Sequence, residues 1–166
     1  SIKRGSKGIA LVDYEGNKVN LRYVFDVTDT EERVNSRPVK LWSMQDEYHE
    51  SVQAALTKVY AVSAGNGLTT QLEEIARQLA AEYWKEHDIR NIVDGSLLEE
   101  YDEDNLEVHF KRAVTVSVSY TLMTRCGMEP EQYFEPEDFV PIFEFNTKAV
   151  SNAMGIAVSK ISQDVL

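Results

Sequence analysis

A histidine–glutamate pair in the first third of the chain has residue types that could bind a catalytic metal. His49 is followed directly by Glu50, and Gln53 stands four residues after the histidine. A zinc hydrolase of the zincin type needs histidines at positions i and i+4, so that both imidazoles reach one ion from one face of a helix, with glutamate at i+1 as general base. Glutamine is a very poor zinc ligand, and the other two histidines are isolated in sequence. His49 and Glu50 are therefore weak metal candidates, and we expect no catalytic residue, no bound metal and no cofactor.

Three further motifs are better explained without catalysis. The acidic run at residues 99–104 lacks the alternating oxygen ligands and central glycine of a calcium loop, which favours a solvated loop. Cys126 has no histidine near it in sequence and follows an apolar stretch, so we expect a buried and inert thiol. Residues 3–8 have the glycines and lysines of a phosphate loop, but a strand follows them where a phosphate loop needs a helix. They could contact a DNA backbone but would not hold ATP.

Basic side chains are concentrated at the start of the chain. Residues 1–40 hold eight Lys/Arg against six Asp/Glu, a balance of +2, whereas residues 41–166 hold nine against 22, a balance of −13. Because Lys and Arg supply most of the affinity for phosphates, the acidic body should repel DNA. A solvated surface is the alternative reading of the basic arm. The candidates for a DNA contact are Lys3, Arg4, Lys7, Arg22, Tyr23 and Arg37.

Aromatic residues in the same arm allow two interpretations. A ring that stacks on a single-stranded base contributes roughly 1–3 kcal/mol to binding. For Tyr23 both interpretations, stacking on a base and packing against the helices, are kept. Phe25 and Trp42 are interpreted as core residues.

Composition limits the size and class of the fold. With 166 residues, of which 43% are hydrophobic, the chain suffices for one domain or for a small domain with an appendage. No run of roughly 18 apolar residues is present, and the start lacks the apolar segment of a signal peptide. A single cysteine excludes an internal disulfide. These features predict a cytoplasmic protein with no membrane partner.

The pattern predicts a β-hairpin followed by helices. Strands are expected at residues 9–13 and 19–27, on either side of a Gly-Asn turn. A first helix is expected over residues 43–61, and a second from a capping box at Thr70 and Glu73 to about His87. Residues 105–125 alternate like a strand, but their length without Gly or Pro favours a helix, with Asp104 as its N-cap. The apolar face expected for the first helix consists of Met44, Tyr48, Val52, Ala55 and Val59.

Two further helices complete the expected body. Pro136 should begin a short helix, since proline lacks only an N–H that is unbonded in the first turn. Asn146 or Thr147 should cap a final helix that reaches Leu166 without a stop signal, so we expect the chain to be a piece of a longer protein. The predicted fold is α+β, mostly α, with an N-terminal β-hairpin followed by about five helices.

The arm also carries a family resemblance. Residues 3–12, the strand Tyr23-Val-Phe-Asp-Val27 and the exit Pro38-Val-Lys-Leu-Trp42 together resemble the ArdC-type antirestriction proteins, at the end of their N-terminal single-stranded-DNA-binding domain. The body is similar to a region of very large helicase and DNA-methylase polyproteins of conjugative elements in gut Firmicutes. The segments that carry this second resemblance are residues 71–83, 95–104, 113–127 and 143–166.

The resemblance implies a domain division and a function. Residues 1–42 would form a truncated DNA-binding arm, and residues 43–166 an acidic helical domain related to the metallopeptidase-like part of that family, in degenerate form. The expected function is a non-catalytic scaffold or accessory domain of a mobile-element DNA-processing protein, whose partners are neighbouring domains and DNA. A zincin-like metal-dependent hydrolase and a single-stranded-DNA-binding module are the alternatives.

Overall fold

The structure, a computed structural model, describes residues 1–15, 18–31, 35, 44–63, 65 and 67–166. The chain divides into two compact units, Ser1–Trp42 and Ser43–Leu166. The first contains a two-stranded antiparallel sheet of β1 (Ile9–Glu15) and β2 (Lys18–Val24). The predicted class, α+β and mostly α with an N-terminal hairpin before the helices, is confirmed. The second unit contains α1 (His49–Tyr60), α2 (Leu68–Glu86), α3 (Glu103–Arg125), α4 (Lys148–Val165) and the 3-10 segments Asp46–Tyr48, Arg90–Ile92, Pro130–Gln132 and Pro136–Glu144.

The hairpin unit is closed by pairing of the residues that flank its strands. Ile2 bridges Thr30, and the Ser1 ammonium donates to the Glu31 carbonyl oxygen at 2.7 Å. The second strand ends at Val24, three residues before the predicted end, because the chain turns into a 3-10 segment at Val27–Asp29. The central turn residues, 16 and 17, lie outside the described residues.

The helical unit is built around α3. Phe110 is fully buried, and its ring lies 5.4 Å from that of Trp84 and 6.2 Å from that of Phe145, measured between centroids. Helices α2 and α4 and the Pro136–Glu144 segment all pack against α3. The prediction of a helix over residues 105–125 is thereby confirmed.

Three helix starts differ from their predictions. Helix α1 begins at His49 instead of residue 43, after the 3-10 turn Asp46–Tyr48. The N-cap of α3 is Asp102, whose carboxylate accepts a hydrogen bond from the Asn105 amide at 2.9 Å, so the predicted cap Asp104 lies within the first turn. Helix α2 begins at Leu68, two residues before the predicted capping box at Thr70, because the buried Leu68 side chain extends the apolar stripe of the helix by one turn. A predicted cap depends only on neighbouring residues, so a buried contact one turn earlier in the chain can move the actual start of the helix.

The expected apolar face of α1 is wrong at three of its five positions, whereas Met44 and Val52 pack against the core as predicted. Leu56 is the buried side chain of this helix, with Val52 and Tyr60 partly buried one turn to either side, whereas Val59 is 70% exposed. The stripe at i, i+4 and i+8 faces α2, the helix on which α1 packs. Tyr48 and Ala55 are exposed as well, so two of the predicted positions besides Val59 lie on the outer face.

A buried amide joins α1 to α2. Gln71 of α2 is 1% exposed, and its Nε2 lies within hydrogen-bond distance of three acceptors. These are the Thr57 hydroxyl at 2.9 Å and the carbonyl oxygens of Gln53 and Val62, each at 3.1 Å. Because α1 buries little apolar surface, these hydrogen bonds contribute strongly to holding α1 against α2.

The C-terminal helices begin as the sequence indicates. Thr147 caps α4 through its side chain, and Pro136 occupies the first turn of the Pro136–Glu144 segment, where Glu135 and Asp138 form a capping box. This segment is a 3-10 helix, which brings Phe145 into the core directly after it. Within the described part of the chain, no helix combines the length and the apolar character needed to cross a membrane.

Candidate functional site

The DNA-contact candidates that the structure describes are exposed. Lys3, Arg4 and Lys7 lie in the segment before β1, and Arg22 and Tyr23 lie near the end of β2. Arg37 and Trp42 lie outside the described residues. The Lys3 amide donates to the Asp29 carbonyl oxygen at 2.8 Å, and the Ser6 hydroxyl donates to the same oxygen at 3.4 Å. The basic segment is thus anchored to the 3-10 turn that follows the hairpin.

The strand register separates two of these candidates. Arg22 pairs with Leu11 and Tyr23 pairs with Ala10, and successive side chains of a strand point to opposite faces. The guanidinium and the tyrosine ring therefore belong to different faces of the hairpin. Tyr23 is 57% exposed, so its ring is accessible.

Phe25, expected in a core, packs within its own unit. A Cβ placed on Gly8 would come within 2.8 Å of the Phe25 ring, so a larger side chain at residue 8 would push the ring aside. The ring covers the residue that directly follows Lys7, which helps to fix the end of the basic segment.

The weak metal candidates stand at the start of α1. His49 is half-buried, and Glu50 is exposed in the first turn. The described residues contain no group of three or more His, Cys, Asp or Glu that could hold a metal ion, so no third ligand is supplied. The other histidines have structural partners. His87 stacks on Tyr83 with ring centroids 3.8 Å apart.

A cluster that the sequence analysis missed lies between α3 and the Pro136–Glu144 segment. The Tyr101 hydroxyl donates to Glu144 Oε1 at 3.1 Å, and His109 Nδ1 contacts Glu144 Oε2. Tyr101 also stacks on His109 with centroids 4.2 Å apart. The hydrogen bond from Tyr101 to Glu144 raises the pKa of the Tyr101 hydroxyl. The three residues come from segments up to 43 positions apart, so no local spacing could have indicated them.

The acidic run and Cys126 have structural explanations. Glu99 accepts a hydrogen bond from the Gly95 amide at 2.8 Å, Asp102 caps α3, and Glu103 forms an ion pair with Arg90 at 2.9 Å. Cys126 is buried at the end of α3, and burial raises the pKa of its thiol. A thiol that stays protonated at neutral pH is a poor nucleophile.

A groove on the helical unit is lined by apolar, hydroxyl and charged side chains. It has a volume of about 530 Å³ and lies between α2, α3 and the segments that begin at Pro130 and Pro136. Val108, Val116 and Phe134 give it an apolar lining, and Tyr133 stands at its mouth, half-exposed. Its charged and hydroxyl side chains are Glu73, Arg77, Lys111, Arg112, Thr115, Ser119 and Asp138.

The charges of the groove differ in how they are paired. Arg77 forms an ion pair with Glu74, and Lys111 with Glu107, each within its own helix. Arg112 is exposed and has no ion pair within the described residues. Burial raises the pKa of the Glu73 carboxyl; Arg77 lowers it in part and Asp138 raises it further.

Aromatic packing makes one wall of the groove rigid. The Phe134 ring contacts those of Tyr120 and Phe139, with centroids 6.3 Å and 5.9 Å away. The Tyr120 hydroxyl donates to Glu131 Oε1 at 2.9 Å, which joins the Pro130–Gln132 turn to α3. These contacts hold the Phe134 ring, which lines the groove, against its two aromatic neighbours.

Comparison of the chain with protein-family models, with curated proteins and with solved structures gave no match.

Proposed function

We propose that this chain is a non-catalytic accessory domain of a mobile-element DNA-processing protein of the cytoplasm. The hairpin unit makes a weak contact to single-stranded DNA, and the helical unit serves as a scaffold for neighbouring helicase or methylase modules. The resemblance of the arm to ArdC-type proteins motivates this proposal.

The observation that carries the proposal is the placement of charge. Lys3, Arg4, Lys7 and Arg22 are exposed on a small unit with a positive balance, whereas the helical unit is strongly acidic. A DNA strand would be attracted to the first and repelled by the second. The exposed Tyr23 adds a ring that can stack on a base.

The scaffold role is supported by apolar side chains on the surface of the helical unit. Phe143 is 73% exposed and Val140 55% exposed, and both belong to the Pro136–Glu144 segment. Exposed apolar side chains on one short segment can form part of a contact with another protein. A neighbouring module of the same polypeptide is the partner that the resemblance implies.

The DNA contact can be tested by fluorescence anisotropy with a labelled 20-nucleotide oligo(dT) at several salt concentrations. If four cations contact phosphates, the plot of log K against log salt should have a slope of about −3, from roughly −0.7 per contact. Replacing Lys3, Arg4, Lys7 and Arg22 by alanine should bring the slope near zero.

A matched control removes four exposed cations of the helical unit, Lys58, Lys85, Arg125 and Lys148. This variant should retain the slope of the wild type. Absence of binding at the lowest salt concentration would refute the DNA contact. Equal loss in the two variants would show that net charge, not the hairpin, governs the interaction.

A further inference from the structure

The groove on the helical unit reverses the charge of the surface around it. Residues 43–166 contain nine Lys/Arg and 22 Asp/Glu. Three of the nine cations line the groove, Arg77, Lys111 and Arg112, but only two of the 22 acids do, Glu73 and Asp138. Arg77 and Lys111 each share their charge with a glutamate of their own helix, so among the described residues Arg112 supplies the unpaired positive charge of the groove. A concave site with an unpaired cation on an otherwise acidic surface is suited to an anion.

The shape of the groove limits the size of that anion. A volume of about 530 Å³ lies within the range typical of small-molecule sites, roughly 300–1,000 Å³. Proteins bind such ligands with an apolar lining and a few placed polar groups. Here Val108, Val116 and Phe134 supply the lining, and the Tyr133 ring stands at the mouth.

Two polar groups in the groove have hydrogen-bonding capacity left. Arg112 has no ion pair within the described residues, and a guanidinium binds phosphate or carboxylate through two parallel hydrogen bonds. Ser119, a fully buried residue, borders the groove, and its hydroxyl has no hydrogen-bond partner among the described residues. Buried hydroxyls are almost always bonded, so Ser119 has capacity for a bond to a water or to a ligand atom beside it.

We propose that this groove binds a small aromatic anion, with its flat apolar body against Phe134 and Tyr133 and its anionic group at Lys111 and Arg112. The rigid wall formed by Tyr120, Phe134 and Phe139 favours a planar body over a flexible chain, because the ligand meets a preformed aromatic surface. The site belongs to the helical unit and is independent of the DNA contact of the hairpin.

The test uses 1-naphthyl phosphate as probe, with neutral 1-naphthol and inorganic phosphate as its two separated halves. A titration of ¹⁵N-labelled protein is followed by heteronuclear NMR. Saturable shifts are expected for the amides of residues 108–119 and 133–138. Each separated half should bind at least about tenfold more weakly, since it lacks one of the two kinds of contact.

Point variants separate the groove from general charge effects. Arg112→Gln and Lys111→Gln should each weaken 1-naphthyl phosphate about tenfold, the usual effect of losing one charge-assisted hydrogen bond. Arg125→Gln is the matched control, because Arg125 is an exposed cation at the end of the same helix and does not line the groove. It should bind like the wild type.

Three outcomes would overturn the proposal. The first is the absence of saturable shifts at millimolar probe. The second is a shift pattern confined to the hairpin unit. The third is any result that removes the role of the ligand's anionic group, namely equal affinity for 1-naphthol and 1-naphthyl phosphate or equal loss in Arg125→Gln and Arg112→Gln.

Discussion

Replacing Gln71 by methionine should destabilise the helical unit by about 2 kcal/mol. Methionine has nearly the same length and shape, so the change removes the amide and little volume. Two N–H donors are lost, at about 1 kcal/mol each. The Val62 carbonyl loses a partner at a further cost of about 1 kcal/mol. This cost is offset by removal of Gln71 Oε1, which is buried and has no partner among the described residues.

Urea unfolding followed by circular dichroism at 222 nm measures this difference, because the helices lie in the second unit. The slope against urea should not change, which would show that only stability is altered. Gln163→Met on the exposed face of α4 is the matched control and should lie within about 0.5 kcal/mol of the wild type. A loss below about 0.5 kcal/mol for Gln71→Met, or an equal loss in the control, would refute the role assigned to the buried amide.

Two other changes test the core and the groove. Phe110→Ala should lower the free energy of unfolding by about 3–5 kcal/mol, measured in urea, because it leaves a cavity where α2, α3 and Phe145 meet; a loss under about 1 kcal/mol would contradict its central place. Glu73→Gln should raise the urea midpoint at pH 7, because burial raises the carboxyl pKa in the folded state and the ionised form therefore opposes folding. The advantage should fade as the pH drops below the ordinary value of 4.5, where the carboxyl is protonated in both states, and an advantage that persists at pH 3 would contradict the titration of Glu73 as its origin.

The sequence pattern is sufficient to predict a helix where only one face of it is buried and where its cap lies next to it in the chain. The sequence predicts Asn146 or Thr147 as the cap, because these two residues precede an apolar 3.6-residue repeat, and the structure places Thr147 at the N-cap of α4. Helix α3 was harder, since Val114, Val116 and Val118 alternate as in a strand. All three are buried, because neighbours pack around most of the circumference of this helix and the one-sided pattern disappears.

The sequence pattern is insufficient where residues far apart in the chain determine which helix face is buried or which side chains meet. The apolar residues of α1 fit two faces, and the face used is chosen by Leu56 and by the contact with Gln71, eighteen positions after Gln53. Glu144 meets His109 across 35 positions, and the groove draws on four separate segments. Such sites follow from the packing of whole helices, which a single sequence without aligned relatives does not specify.

The separation of Arg22 and Tyr23 onto opposite faces of the hairpin constrains the path of any strand that touches both. A nucleotide chain lying flat on one face can use the guanidinium or the ring, but not the two together. To engage both it must cross an edge of the two-stranded ribbon, so that the hairpin projects into a bend of the DNA. Such an arrangement would favour strands free to fold sharply and would discriminate against the stiff double helix.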